Sequence, residues 1–241
     1  MIFLTKSRVE YADYQITVYP PPCPYRCRYC FWSTPLLRAR AEKIRQRFSF
    51  ERSLGEAKIL LEKKSKFTVV ISFTTDPYPL QEAYSLRTRK ILEILQRSKH
   101  RVMILTKNPV LALRDLDLMK EGDFWFGTTI TTLSATSRIL EPEAPDPMAR
   151  IEALRKAKES GLKTWISIEP IIPGLSNVAR IVEETIEFTD FYVLGKLNYA
   201  RQLGFQDFTR EEYRNEVKPA LKLLKEAGTR YFIKKELLKV L

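Results

Sequence analysis

Cysteine is scarce in this 241-residue chain: there are three, all between positions 23 and 30, and histidine occurs once, as His100. An odd count excludes a closed disulfide framework, which a chain of this length does not need to build a core. A structural zinc site takes four Cys or His ligands, so a lone distant histidine leaves zinc short unless a carboxylate helps. With no cysteine elsewhere, a second thiolate site is excluded. Long apolar runs are missing too. No stretch approaches the roughly 20 apolar residues of a membrane span, and the opening MIFLTKSRVEYADYQ turns polar too early for a secretory signal. No internal repeat, low-complexity tract or long linker is evident. A single domain over residues 1–241, ending in C-terminal helices, is expected.

What is present begins with charge. Lys and Arg number 41 against 29 Asp and Glu, a formal excess of +12. Such a bias strengthens binding to a phosphate backbone through counterion release. It also describes a charge-rich, thermophile-like surface, since Lys, Arg and Glu abound while Asn and Gln are sparse. The two readings are compatible.

The cysteines form the run Cys23-Pro24-Tyr25-Arg26-Cys27-Arg28-Tyr29-Cys30. Spaced C-x3-C-x2-C, they bring three thiolates toward one inorganic centre. Iron–sulfur clusters are usually held by four cysteines, so three leave one iron of a [4Fe–4S] cube with an open position where chemistry can occur. Pro24, Arg26 and Arg28 argue against an inert apolar core segment. The pattern points to an iron–sulfur enzyme rather than an electron carrier. Thiols at a cluster imply a reducing interior, so a cytoplasmic location is expected.

Along the chain, apolar β-type runs alternate with amphipathic stretches, the pattern of a parallel sheet with crossover helices. Strands are expected at 14–19, 67–73, 101–105, 124–129, 164–168, 191–194 and 231–233. Helices are expected at 50–64, 83–98, 109–120, 147–160, 176–187 and 209–227. Six or seven such units predict an α/β fold, a TIM-like (β/α) barrel, incomplete, with about six parallel units. Active sites of such barrels lie at the C-terminal strand ends. Polar residues gather there: the cysteine loop, Thr74-Thr75-Asp76, Thr106-Lys107-Asn108, Thr128-Thr129, Ser167 with Glu169, and Lys196 with Asn198. His100 is expected at the surface, with Tyr78, Glu82 and Tyr84 as further pocket candidates.

The cysteine loop resembles the signature of the radical S-adenosylmethionine (SAM) superfamily, in which an aromatic residue, here Tyr29, precedes the last cysteine. SFTTDPYPLQE, LTKN, FGTTITT, EPEAP followed by Arg150, and WISIEPIIPG are similar to the group related to spore photoproduct lyase over roughly residues 12–200. The resemblance implies a [4Fe–4S] cluster on Cys23, Cys27 and Cys30 and reductive cleavage of SAM to a 5′-deoxyadenosyl radical that abstracts hydrogen. It implies Tyr29 against the adenine, Thr75 and Asp76 at the methionyl ammonium, and Lys107 at its carboxylate. Thr128 would meet that carboxylate or the ribose, and Ser167 the adenine. Glu169 is placed nearby without a clear partner, Arg150 being one candidate. Thr75 and Asp76 are also readable as the turn before Pro77, and Thr128 as an ordinary strand residue.

One departure matters. The lesion lyase returns a hydrogen atom through a further cysteine, where this chain has Thr74, a poor donor beside a thiol. Repair by that route is not expected. Tyr29 is a relay candidate, but Phe31 beside it lacks a hydroxyl.

After the loop come Phe31-Trp32 and then Arg38, Arg40, Arg45 and Arg47. Aromatic faces beside a basic run suit stacked bases with phosphates outside, against the alternative of a solvated helix surface. The basic runs 218–225 and 230–239 read as amphipathic helix faces. The expected function is radical SAM hydrogen abstraction on DNA or RNA, of repair or modification type. The alternatives are the same chemistry on a peptide or small metabolite, or a non-catalytic metal-stabilised nucleic-acid-binding module. An electron donor such as ferredoxin or flavodoxin is the expected partner, with no membrane. The sequence does not fix the oligomeric state.

Overall fold

Short runs rich in Val, Ile and aromatic residues form seven strands in a computed structural model that describes residues 3–241. They are β1 (Tyr14–Ile16), β2 (Thr68–Ile71), β3 (Arg101–Thr106), β4 (Asp123–Thr129), β5 (Lys163–Ile171), β6 (Phe191–Lys196) and β7 (Arg230–Ile233). Each pairs in parallel with its neighbours in chain order. The result is an open, TIM-like α/β sheet of seven strands, in which β1 and β7 are not joined. The helices of eight or more residues are α1 (Pro35–Arg47), α2 (Phe50–Glu62), α3 (Arg87–Leu95), α4 (Pro147–Glu159), α5 (Val178–Thr185) and α6 (Arg210–Glu226).

The strand period of two sorts side chains between two layers. Outward residues such as Val69, Val102, Ile104, Phe126 and Ile166 pack on Leu60, Leu92, Leu154 and Val182 of the helices. Inward residues Val70, Met103, Trp125, Trp165 and Val193 fill the floor. Gly127 makes room there, since a Cβ would stand 2.2 Å from the Trp165 indole nitrogen.

Three helices depart from the sequence expectation. The stretch 83–98 breaks at Leu86, whose φ is 55°, because the buried Glu82 carboxylate accepts the Thr88 and Arg89 amides and restarts the helix as α3. The stretch 109–120 divides into Pro109–Ala112 and Leu116–Met119 around a 3-10 turn. The fully buried Asp115 in that turn takes the Tyr78 hydroxyl and the Arg89 and Arg114 guanidinium groups. The stretch 176–187 yields α5, N-capped by Asn177, and then a 3-10 turn over Ile186–Phe188.

Two features bear on the cleft. The β1–β2 connection carries one helix more than a crossover needs: α2 covers the sheet, while α1 stands at the mouth. On the other flank, residues 5–15 form a hairpin, in which Ser7 N donates to Asp13 O and Gln15 N to Thr5 O, both at 2.9 Å. From it Tyr11 packs edge-on against Phe73, Trp165 and Phe232. Glu10 accepts the Lys235 amide at 3.2 Å. The hairpin thus covers the seam between β1 and β7.

Candidate active site

The C-terminal strand ends open on a cleft of about 1470 Å³. Cys23, Cys27 and Cys30 line it, as do Tyr29, Thr74, Thr75, Asp76, Lys107, Ser167, Glu169, Lys196 and Asn198. These arrive from the connections after β1, β2 and β3, from β5 itself, and from the end of β6 and the connection after it. Each polar strand end read from the sequence thus sends at least one residue to the same mouth, although Thr106, Asn108 and Thr128 do not line it.

Burial governs the thiols. It pushes Cys23 up to about 12, with the Asp76 carboxylate adding to the effect. It pushes Cys27 up to about 11, opposed by the Lys107 ammonium, and raises Cys30. All three are protonated at neutral pH, so loading a metal releases protons. Among the described residues, no group of three or more His, Cys, Asp or Glu side chains, the thiols included, is disposed around a single ion. His100 stands apart from them and, contrary to expectation, is buried. Its Nδ1 accepts the Phe67 amide at 3.2 Å, which leaves the proton on Nε2, 2.7 Å from Leu60 O.

Asp76 knits two loops together. It accepts the Tyr78 amide at 2.9 Å, the Thr106 hydroxyl at 2.6 Å and the Lys107 amide at 2.7 Å. Three of its roughly four acceptor positions are thus filled by protein. Burial still holds its pKa above the ordinary value against those donors. Thr75 donates to Tyr19 O at 2.6 Å. Both carry the turn ahead of Pro77, and both edge the cleft.

The threonine pair of β4 is placed differently from expectation. Thr128 lies on the outer face, fully buried, donating to Thr106 O at 2.8 Å. Its neighbour Thr129 takes the inner face and lines the cleft. Ser167, opposite Thr129 in the register, is 1% exposed, and its hydroxyl has no protein partner. A buried orphan hydroxyl is costly unless something completes it. Two residues further along β5, Glu169 meets Lys234, not Arg150, at 2.6 Å. Gly195 leaves space for that carboxylate, whose Cδ lies 2.9 Å from where a Cβ would be. Lys234 follows a strand, so the 230–239 run is not simply a helix face.

Arg150 pairs instead with Glu141, the first residue of the EPEAP run. Arg150 is 1% exposed. It reaches Glu141 Oε2 at 2.5 Å, Pro145 O at 2.7 Å and Thr129 O at 3.0 Å. Glu141 Oε1 accepts from the Tyr29 hydroxyl and, at 3.3 Å, from Thr131. The Lys107 ammonium stands 3.9 Å from that same oxygen and 5.4 Å over the Tyr29 ring. Burial raises the Glu141 carboxyl, but Lys107 and Arg150 outweigh it and hold its pKa below the ordinary value. Burial likewise lowers Lys107, and Cys27 with Glu141 more than restore it.

Of the residues after the loop, Trp32 donates to Thr74 O at 2.9 Å and lines the cleft with Phe31. Arg38, Arg40 and Arg47 line it as well. Arg45 does not: it pairs with Glu42 at 2.6 Å. Tyr78 and Glu82 are buried away from the cleft, and Tyr84 is exposed outside it.

Residues 18–189, from the cysteine loop through β5 and α5, match the radical SAM superfamily. The chain belongs to that superfamily. It is 30% identical over 213 residues to the uncharacterized protein MJ0683 of Methanocaldococcus jannaschii, covering 87% of this chain and 80% of that one. It is 35% identical over 178 residues to the uncharacterized protein ORF301 of Acidianus two-tailed virus, covering 68% and 58%. In fold it resembles spore photoproduct lyase complexed with dinucleoside spore photoproduct (TM-score 0.71, 16% identity, 97% of this chain and 80% of that one). It also resembles Streptococcus suis SuiB bound to S-adenosylmethionine (TM-score 0.63, 12% identity, 94% and 48%). This radical SAM enzyme accordingly uses a [4Fe–4S] cluster and SAM. The donor set fits both: three thiols on one loop, a buried ammonium at Lys107 and an unpartnered hydroxyl at Ser167. No described helix is long and apolar enough to cross a membrane.

Proposed function

We propose that Cys23, Cys27 and Cys30 carry the cluster and that SAM lies against Tyr29, Lys107, Thr129 and Ser167, with Thr75 and Asp76 shaping the wall. The substrate in this reading is a single nucleic-acid strand, DNA or RNA, drawn across the mouth. The bound cofactors supply a carbon radical that takes a hydrogen atom. The chain's own residues exclude water, orient the ligand and hold the polyanion. A low-potential electron donor of the ferredoxin or flavodoxin kind delivers the electron.

One observation carries the substrate class. The cleft that receives the cysteine loop is lined by ten Lys or Arg and only four Asp or Glu, with Phe31 and Trp32 at its rim. Exposed cations along a groove neutralise phosphates, and aromatic faces accept bases of any sequence. With no cysteine beyond the loop, the chain holds no thiol apart from the three assigned to the cluster to return hydrogen. A product from which the hydrogen is not returned by a protein thiol follows.

The test is fluorescence anisotropy of cluster-loaded protein with short DNA and RNA strands over a salt series. Binding should weaken steeply with salt. Neutralising Arg38, Arg40 and Arg47 together should lower the log–log slope by about 2, at about 0.7 per phosphate on a single strand. Arg45→Gln, whose side chain is engaged by Glu42 and does not line the cleft, should change less. Absence of salt-dependent binding to either strand would refute the nucleic-acid assignment and leave a peptide or small metabolite.

A further inference from the structure

A single carboxylate ties together half of the mouth. Glu141 receives Tyr29 from the loop after β1, Lys107 from the loop after β3 and Thr131 from beyond β4, while Arg150 of α4 clamps its other oxygen. Next to it in sequence, Leu140 O accepts the Arg28 amide of the cysteine loop at 2.8 Å. Three of these partners lie 112, 34 and 10 residues away in the chain. A pair needed only for stability is poorly served by this chemistry, since desolvating two charges costs about what their attraction returns, and apolar residues of the same volume often do as well. The Lys107 contact is also loose. At 3.9 Å it is an ion pair without a hydrogen bond, so the ammonium keeps its donors while its position is fixed by one charge and one ring face.

We propose that Glu141, held by Arg150, is a positioning residue. It fixes the Lys107 ammonium over Tyr29 so that its free donors meet the carboxylate of the methionyl group. Glu141 itself touches neither cofactor. The idea rests on the assignment of Lys107 above, and the experiment separates the two.

The measurement is the affinity of cluster-loaded protein for SAM and for decarboxylated SAM, by equilibrium binding without reductant, so that no turnover occurs. The ratio of the two affinities isolates what the carboxylate contributes, and general loosening of the fold lowers both alike. Lys107→Met should reduce the ratio about tenfold. Glu141→Gln should reduce it at least threefold and have no further effect in the Lys107→Met background. If Lys107→Met leaves the ratio unchanged, the assignment of Lys107 is wrong. If Lys107→Met lowers it but Glu141→Gln does not, or if Glu141→Gln acts equally in both backgrounds, the positioning role is overturned. Should Glu141→Gln fail to bind iron, Glu141→Asp, which keeps the charge but shortens the reach, is judged by the same criteria.

Discussion

At the residue scale, proton bookkeeping around the cysteine loop gives a test that needs no substrate. Thiols whose folded pKa is raised, Cys23 from 9.0 to about 12 and Cys27 to about 11, stabilise the metal-free fold below pH 9. That contribution fades as pH climbs through the folded values, because the unfolded chain then loses protons the folded one still holds. The urea midpoint of iron-free protein should therefore fall between pH 9 and 11. Cluster-loaded protein, its thiols already deprotonated, should lack this slope. Cys27→Ala should bind little iron and leave SAM uncleaved, read by iron content and 5′-deoxyadenosine. Arg150→Met leaves the Glu141 charge buried without its clamp, and should cost about 3–5 kcal/mol in chemical denaturation.

At the element scale, strand ends were legible and strand faces were not. Lys107, Ser167 and the cysteine loop stand out in the sequence because a polar residue after an apolar run marks the mouth of a parallel barrel. Thr128 and Thr129 are chemically alike and adjacent, so only the register, with Trp125 and Gly127 inward, decides which one faces the cleft. Glu141 escaped notice because its partners are scattered from Tyr29 to Arg150. No local spacing announces a carboxylate that works through tertiary contacts. Helix breaks were lost for a similar reason: Glu82 and Asp115 are ordinary acidic residues until burial gives them backbone amides and arginines to satisfy. The parallel alternation itself came through, since it depends on runs of five or six residues. The floor provides the matching prediction. Gly127→Ala places a methyl group against Trp165, and should lower stability by about 3 kcal/mol or more through overpacking, visible as a drop in Tm with a disturbed tryptophan spectrum.

For the whole molecule, the +12 excess is not spread evenly. The cleft takes ten of its cations against four acids, while at the opposite, N-terminal end of the strands Asp123 meets Lys66 at 2.9 Å, Lys163 at 3.1 Å and Arg101 at 3.7 Å. The cationic surplus of the cleft should draw the polyanion proposed above toward the cysteine loop, and its capture rate should fall steeply with ionic strength. The Arg38, Arg40 and Arg47 substitutions should slow association more than they hasten release, as stopped-flow mixing would record.

A ribbon that never closes on itself also has two free selvedges. Among the described residues, β7 has no strand partner on the side facing the gap and β1 has only the short hairpin arm around Lys6, and that hairpin is fastened by a few long contacts such as Tyr11 and Glu10. Deuterium should thus enter from both flanks first, reach β2 and β6 next, and arrive last at β4, midway between the two borders. The reactive loop hangs from the first of those fast-breathing borders, so substrates and reductants meet a rim that yields, backed by a centre that does not.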